Sequence, residues 1–326
     1  MSKRNSIFDV NTYSKVNEEN LLILDDYILE MKANGRSDGT VYQYSSDIKM
    51  FFCYIYDNVK NKSVLELKKR DFRRFFLTLQ ENGASSARIN RVQCSLRNML
   101  EFVANDDDEY EEYEVNVMQG IKGLQKEEVR EIIFLSDEQI NLLIDHLVDR
   151  KKYQLALYLA FSYESAARRN EVAQVMKDRF LENTRTNEVV GKRNKRFELL
   201  YFNKSRELAK LYLDQRGKDD IPNLWTVGNK ENREAAQYET LYNWTLGLRK
   251  TLEKITGEYL EFTPHSYRHS SLENYSTGDH YVLKELGRDK LDIDVLKALA
   301  NHESIETTQL YLKDKDEQLL NETFGV

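Results

Sequence analysis

The scarcity of helix-breaking residues most constrains the fold of this 326-residue chain, which contains two prolines and thirteen glycines. Proline costs about 3 kcal/mol and glycine about 1 kcal/mol relative to alanine inside a helix. Long helices can therefore form here with few interruptions, whereas a β-sandwich or barrel needs frequent turn residues. The sequence predicts a mainly α-helical protein with at most a small β-sheet.

The composition indicates a folded protein that is not embedded in a membrane. Hydrophobic residues make up 40% and charged residues 32% of the chain, and no stretch approaches the roughly 18 apolar residues of a membrane span. No apolar core follows the basic N-terminus, so no secretory signal is predicted. Cys53 and Cys94 lie in helical apolar patterns and indicate reduced core residues. We therefore expect a cytoplasmic protein.

Periodicity and charge divide the chain into four segments. Residues 1–20 are polar and aperiodic, which predicts a flexible N-terminal arm. Residues 21–104 contain four amphipathic patterns and predict a small helical domain. Residues 105–130 begin with acidic residues and predict a solvated linker. Residues 131–326 predict a mixed α/β domain with a C-terminal tail.

The second domain is predicted to open on a capped helix, because Ser136 is followed three residues later by Gln139. Two short strands are expected around a turn at Arg193 and Asn194. Further helices are predicted at 208–215, 239–256, 265–276, 293–300 and 307–311.

The charge distribution matters more than the net charge of −7, because a nucleic-acid-binding protein needs a basic surface. Between residues 60 and 97 there are ten Lys or Arg and three acidic residues. This run could be a solvated face or a phosphate-binding surface. The candidate DNA-binding residues are Lys68, Lys69, Arg70, Arg73, Arg74, Arg88, Arg91 and Arg97.

Four segments of the second domain carry residues suited to breaking a phosphodiester without a metal. That reaction needs a nucleophile, fixed cations on the phosphate oxygens and an acid for the leaving oxygen. Arginine is the suitable cation because its planar fork binds phosphate bidentately. The segments are 165–171 (SAARRNE), 191–195 (GKRNK), 263–268 (TPHSYR) and 300–302 (ANH), the last followed nine residues later by Tyr311.

Local patterns predict how these side chains are presented. Arg168 and Glu171, three residues apart, are expected on one helical face. Thr263 as N-cap and Pro264 in the first turn predict a helix start, and that helix carries both His265 and Arg268. The other three histidines are interpreted as structural: His146, His269 and His280.

These segments resemble the motif boxes of the tyrosine recombinase, or phage integrase, family. The family motifs read G-L-R-x-x-E, G-K-G-x-K, H-x-x-R, and L-G-H followed nine residues later by Y. Their order and the helix–hairpin–helix context match, and the helical domain is similar to the family's SAM-like core-binding domain. The resemblance extends from about residue 21 to residue 326. It implies a C-shaped DNA clamp and a divergent member from a phage, prophage or other mobile element.

The resemblance also implies a role for each matching residue. Tyr311 would attack the scissile phosphate and form a 3′-phosphotyrosyl intermediate, which requires no metal or cofactor. Lys192, or less favourably Lys195, would protonate the leaving 5′ oxygen. Arginines would clamp the phosphate, and histidines would hydrogen-bond it or assist proton transfer. The implied catalytic residues are Arg168, Lys192, His265, Arg268, His302 and Tyr311, with Glu171 supporting Arg168.

The sequence departs from the family pattern around these residues but keeps the catalytic side chains. Ala166 and Ala167 replace Gly-Leu, and Tyr267 replaces a leucine. Arg193 replaces the turn glycine and is expected to lose access to φ > 0, which a tight hairpin favours. Asn301 replaces the glycine before His302, and asparagine tolerates that conformation better than most residues.

Two functions stay open on this pattern. One is an active site-specific recombinase, such as an integrase or resolvase. The other is a DNA-binding regulator, such as a phage repressor, that keeps the fold without strand cleavage. A helical interaction protein with fortuitous motifs is a third, more distant interpretation.

The expected partner is double-stranded DNA in the bacterial nucleoid, with no membrane contact. Leu319, Leu320 and Phe324 form an apolar set in the tail. By resemblance, the tail would dock on a neighbouring subunit and give dimers or tetramers on DNA. Docking on its own domain is the alternative.

Overall fold

The computed structural model describes residues 7–106, 109–125, 132–181 and 184–312. The chain divides into two units, residues 1–130 and residues 131–326, each with its own hydrophobic core. Over the described ranges, no helix is both long enough and apolar enough to cross a membrane.

The first unit is helical, and the four helices predicted from apolar periodicity are present as α2–α5. Aromatic rings dominate its core: Phe51 lies 5.0 Å from Phe72 and 4.7 Å from Phe75, measured between ring centroids. The helices are α1 (Val10–Tyr13), α2 (Glu18–Ala33), α3 (Asp38–Asn58), α4 (Lys69–Glu81) and α5 (Ser86–Ala104), with a 3₁₀ turn at Val64–Glu66.

The prediction of a flexible arm over residues 1–20 is wrong for its described part, which begins at residue 7. Asp9 caps α1, Val16 is buried, and the Asn17 side chain caps α2. Asn17 also donates two hydrogen bonds to Asn61, from its backbone N–H to the side-chain oxygen at 2.9 Å and from its side-chain amide to the carbonyl at 3.2 Å. The polar residues that suggested an arm therefore satisfy the free N–H groups of helix starts.

The segment predicted as a solvated linker, residues 105–130, packs on the first unit over most of its described part. Met118 has no exposed surface, and the Tyr110 hydroxyl donates a hydrogen bond of 2.6 Å to Asp26. The acidic side chains face solvent while the apolar residues between them face the core. Composition averages over this alternation, so the packing of these residues on the first unit was not predicted.

The second unit surrounds α7, which is buried on all sides from Ala156 to Glu164. Tyr158 of this helix packs edge-on against Trp225 and Trp244, at 5.9 and 5.5 Å. The elements are α6 (Asp137–Asp149), α7 (Tyr153–Glu164), α8 (Arg169–Val172), β1 (Arg185–Val190), β2 (Arg196–Leu200), α9 (Asn203–Arg216), β3 (Thr226–Val227), β4 (Glu234–Ala235), α10 (Tyr238–Thr256), α11 (Pro264–Thr277), α12 (Tyr281–Leu286), α13 (Ile293–Leu299) and α14 (Ile305–Gln309).

The predicted fold class, mainly α with a small β component, is confirmed. Strands β1 and β2 form the predicted antiparallel hairpin, and β3–β4 is a second, shorter one. The predicted cap of α6 is also present: Ser136 Oγ accepts from the Gln139 N–H at 3.2 Å, and the Gln139 side chain accepts from the Ser136 N–H at 3.0 Å.

Candidate active site

The first candidate arginine, Arg168, lies just before α8 in extended backbone (φ −74°, ψ 149°). The buried Glu171 carboxylate accepts from the Arg168 backbone N–H at 2.7 Å and from its guanidinium at 3.0 Å. Arg168 precedes the helix, so the prediction that Arg168 and Glu171 share a helical face is wrong. Glu171 instead caps the helix by accepting hydrogen bonds from Arg168. This capping orients the guanidinium of Arg168, which stays 28% exposed.

The three positions where the family pattern has glycine all keep a left-handed backbone. The φ angles are +49° at Ala166, +59° at Arg193 and +52° at Asn301. The expectation that Asn301 would tolerate this conformation is confirmed, whereas the expectation that Arg193 would lose access to it is wrong. A residue with a Cβ pays about 1–2 kcal/mol there, and asparagine visits it more readily. The turns that present the candidate residues thus keep their shape despite the substitutions.

Arg268, on α11, joins two of these turns from inside the protein. It has no exposed surface, and it donates to the carbonyl of Ala166 at 2.5 Å and to that of Ala300 at 2.7 Å. Burial, followed by the like charge of Arg168, lowers the pKa of Arg268 to about 10, so the guanidinium stays charged at neutral pH. Its charge is therefore fixed between the turns that lead to Arg168 and His302.

His302 is held in one tautomer by two partners. Its Nε2 lies 2.6 Å from Arg268 Nη2, which can only donate, so Nε2 accepts. The proton is then on Nδ1, which donates to Thr308 Oγ1 at 2.9 Å. Burial and the neighbouring Arg268 lower the pKa of His302 to about 3. His302 is therefore neutral at physiological pH.

Tyr311 lies in a turn after α14, rather than in a helix as predicted, and four side chains surround its ring. The ring centroids of His269, His302 and His265 are at 4.4, 4.9 and 5.2 Å, and Arg268 Cζ is at 5.0 Å. The electrostatic interaction with Tyr311 acts against the lowering of the Arg268 pKa. The candidate nucleophile thus lies beside the buried cation.

His265 is the one solvent-exposed histidine of this group. Its pKa is nevertheless lowered to about 4, first by desolvation and then by the charges of His269, Arg268 and Arg168. An exposed ring with this pKa is neutral at physiological pH and can accept a proton.

Lys192 and Lys195 are exposed on the turn between β1 and β2, next to a cavity of about 150 Å³. Arg193 of the same turn forms an ion pair with Glu303. A small cavity with several cations fits an anion the size of phosphate. Its lining residues are Arg168, Lys192, Arg193, Lys195, Phe197, Asn301, His302, Glu303 and Thr307.

The structure therefore brings five predicted catalytic residues together and places Lys192 on a cavity that it shares with Arg168 and His302. The sequence interpretation missed His269 and Thr308. His269 follows His265 by four residues on one helix, and this spacing puts both on one face. That signal could have identified His269, whereas Thr308 carries no comparable signal.

The predicted DNA-binding residues of the first unit fall into two groups. Arg91 donates two hydrogen bonds of 3.0 Å to the buried Asp47, and Arg97 donates to the Ile121 carbonyl at 2.9 Å. Arg88 is partly buried. Five residues on or beside α4 are solvent-exposed and better suited to contact an external phosphate: Lys68, Lys69, Arg70, Arg73 and Arg74.

Comparisons with known proteins match both units. A family model described as "Phage integrase family" matches residues 133–318, and one described as "Phage integrase, N-terminal SAM-like domain" matches residues 24–106. The SPbeta prophage-derived recombinase-like protein YomM of Bacillus subtilis is 25% identical over 94% of this chain and 91% of its own length.

Two further relatives extend the comparison. Tyrosine recombinase XerC of Treponema denticola is 23% identical over 86% of this chain and 90% of its own length. The crystal structure of a lambda integrase dimer bound to a COC′ core site has a TM-score of 0.66, with 15% identity, covering 95% of this chain and 83% of that one.

Proposed function

The chain belongs to the phage integrase family, and we propose on that premise that it cleaves and rejoins DNA at specific sites through Tyr311. The observation that carries the proposal is the convergence of Arg268, His302 and His265 on the Tyr311 ring, at 5.0, 4.9 and 5.2 Å. The related proteins named recombinases support the same activity.

The reaction exchanges one phosphodiester for another. The Tyr311 oxygen bonds to the scissile phosphorus while the bond from phosphorus to the 5′ oxygen breaks. The phenol loses a proton and the 5′ oxygen gains one, which leaves a 3′-phosphotyrosyl enzyme and a free 5′ hydroxyl. Attack by a 5′ hydroxyl reverses these steps and rejoins the strand. The phosphotyrosyl bond conserves the energy, so the step needs no ATP.

The site supports a division of roles among its residues. Arg168 and Arg268 supply fixed positive charge for the phosphate oxygens. His265 is neutral at physiological pH and is the better acceptor for the phenol proton, because the Nε2 atom of His302 already accepts from Arg268. Lys192 is the proposed acid for the 5′ oxygen, and its position on the exposed turn beside the phosphate-sized cavity supports this role.

DNA binding is proposed to use the exposed basic residues of α4 and the turn before it. The lambda integrase in the similar structure is a dimer bound to DNA, which supports dimers or larger oligomers of this chain on its target. The predicted tail contacts, at Leu319, Leu320 and Phe324, lie outside the described residues and stay a prediction, as does the DNA clamp. The proposed place of action is the cytoplasm, on nucleoid DNA.

One observation favours the second function, a DNA-binding regulator that does not cut. Arg268 has no exposed surface, and the Tyr311 ring lies over its guanidinium. Both Nη atoms of Arg268 also make hydrogen bonds within the protein, so a phosphate reaches this arginine only after the groups around it move, the tyrosine ring among them. If DNA binding does not displace the ring, the protein binds its site without cleaving it.

A nicked suicide substrate distinguishes the two functions, because loss of the short strand end traps the covalent intermediate. We expect an adduct with the wild-type protein and none with Tyr311→Phe, which keeps the ring but removes the attacking oxygen. Tyr259→Phe, at an exposed tyrosine of the same unit, is the matched control and should form the adduct.

The other results of this experiment are equally informative. Sequence-specific binding without any adduct would support the regulator and contradict the recombinase. Absence of DNA binding at low salt would contradict both. Addition of EDTA is expected to leave adduct formation unchanged.

A further inference from the structure

We propose that His269 is a positioning residue for Tyr311, holding the tyrosine through a backbone hydrogen bond and a ring stack. The inference rests on the proposed function, because the step it serves is the attack by Tyr311. No family motif quoted above includes His269.

The contact between the two residues involves both backbone and side chain. His269 Nδ1 lies 3.3 Å from the Tyr311 carbonyl oxygen, and a carbonyl only accepts, so Nδ1 carries the proton and donates. The two rings lie 4.4 Å apart at an interplanar angle of 25°, which is an offset stack. His269 therefore restrains both the position of the Tyr311 backbone and the orientation of its ring.

His269 is itself held firmly. It belongs to the 14-residue helix α11 and is 8% exposed. Phe134 packs edge-on against its ring at 5.8 Å, and His265 does so at 4.9 Å. Burial lowers the pKa of His269, so the ring that stacks on Tyr311 is neutral at physiological pH. A side chain that packing holds in one rotamer can in turn hold a neighbouring residue in place.

Tyr311 needs such a support because its own segment is short. It follows α14, which has five residues, and its backbone N–H bonds to Thr308 at 2.9 Å within the same turn. These bonds fix the turn internally but do not attach it to the body of the unit. His269 connects the turn to α11, the helix that also carries His265 and Arg268. The candidate nucleophile is then held by the same helix that carries His265 and Arg268.

The two contacts can be removed separately, which distinguishes positioning from simple packing. His269→Asn keeps a side-chain N–H close to the place of Nδ1 and loses the ring. His269→Phe keeps the ring and loses the donor, and His269→Ala loses both. A misplacement of about 1 Å at a reacting group costs on the order of 100-fold in rate.

The rate of covalent adduct formation on the nicked substrate tests the proposal. We expect His269→Ala to lower this rate by about 10- to 100-fold, with the Asn and Phe variants between Ala and wild type. DNA affinity, measured for each variant in a Tyr311→Phe background, should not change. His146→Ala, a histidine substitution on α6, is the matched control and should react at the wild-type rate.

Three outcomes would overturn the proposal. The first is a wild-type rate for His269→Ala, and the second is an equal loss of rate and DNA affinity, which would indicate a purely structural residue. The third is a faster reaction, which would mean that His269 holds Tyr311 in a resting position.

A second measurement keeps the test independent of cleavage. With 3-fluorotyrosine incorporated at position 311, the ¹⁹F resonance should move when His269→Ala removes the stacked ring, and less when His269→Phe keeps it. If the wild-type protein forms no adduct, the proposed function fails, yet this resonance still tests the contact. An unchanged resonance in His269→Ala would overturn the positioning role.

Discussion

Ala166 shows how a single residue can carry strain at the edge of the site. Its φ of +49° is a conformation that glycine adopts freely and alanine does not. Glycine here should relieve about 1–2 kcal/mol, against about 0.5–1 kcal/mol lost through greater freedom of the unfolded chain. We therefore expect Ala166→Gly to raise the free energy of unfolding slightly, as measured by urea denaturation.

The neighbouring alanine provides the matched control. Ala167 is also buried but does not have a positive φ, so Ala167→Gly should lower the free energy of unfolding by about 0.4–1 kcal/mol, because glycine gives the unfolded chain more freedom. Equal losses in both variants would mean that the backbone at Ala166 is not strained.

His302 should make the stability of the second unit depend on pH. Its pKa in the folded protein, about 3, lies below the ordinary value near 6.5. The contribution of His302 to the free energy of unfolding is therefore fully present above pH 6.5. That contribution is lost as the pH falls from about 6.5 towards 3, because the unfolded chain takes up the proton first. The destabilisation caused by His302→Gln should therefore be larger at pH 7.5 than at pH 5, measured by urea denaturation at each pH. The same loss at both values would contradict the lowered pKa.

At the residue scale, sequence motifs predicted the side chains that converge on Tyr311 but not their supports. Arg168, His265 and Arg268 were identifiable because their order and spacing match a family pattern. Thr308 contacts His302 from six residues away, but nothing in the local pattern marks it. The spacing of His269 from His265 indicates a shared helical face, but not the contact with Tyr311, which lies 42 residues away.

Among the elements, α4 and α5 both carry basic residues, yet they should behave differently. Arg73 and Arg74 are exposed on α4, so replacing both with alanine should weaken DNA binding and reduce the salt slope by about 0.9 for each lost phosphate contact. Fluorescence anisotropy over a range of salt concentrations measures both quantities. An unchanged affinity and slope would exclude this face of α4 as the DNA contact.

Arg91 of α5 gives the contrast, because it neutralises the buried carboxylate of Asp47. Arg91→Ala should mainly lower the free energy of unfolding of the first unit, by about 1–3 kcal/mol, since it leaves the buried Asp47 carboxylate without its cation and with the hydrogen bond from Ser95.

At the element scale, prediction succeeded where a pattern was long. Helices such as α5 and α10, each of 19 residues, contain enough turns for their periodicity to be recognised. The four-residue helix α8 and the two-residue strands β3 and β4 each contain only about one period, so no repeat can be recognised. Tertiary contacts define them instead: for example, the Gln154 side chain donates to the Thr226 carbonyl of β3 at 2.9 Å.

On the scale of the whole molecule, the net charge of −7 conceals an uneven distribution. Acidic residues are concentrated after α5, and basic residues are exposed on α4 and around the phosphate-sized cavity of the second unit. Both surfaces can attract DNA locally despite the acidic total, because electrostatic attraction is screened within about 10 Å at 0.1 M salt. The net charge of the chain was therefore a poor predictor of DNA binding. The local basic surfaces agree better with membership of the phage integrase family.

Peptide mapping after trapping shows which residue of the protein becomes covalently linked to DNA. Wild-type protein is reacted with the nicked substrate, digested with nuclease and protease, and the peptide carrying a residual nucleotide is sequenced by mass spectrometry. We expect a single nucleotide-linked residue, Tyr311, among the twenty tyrosines of the chain. Attachment to another residue, or specific DNA binding with no nucleotide-linked peptide at all, would contradict this expectation.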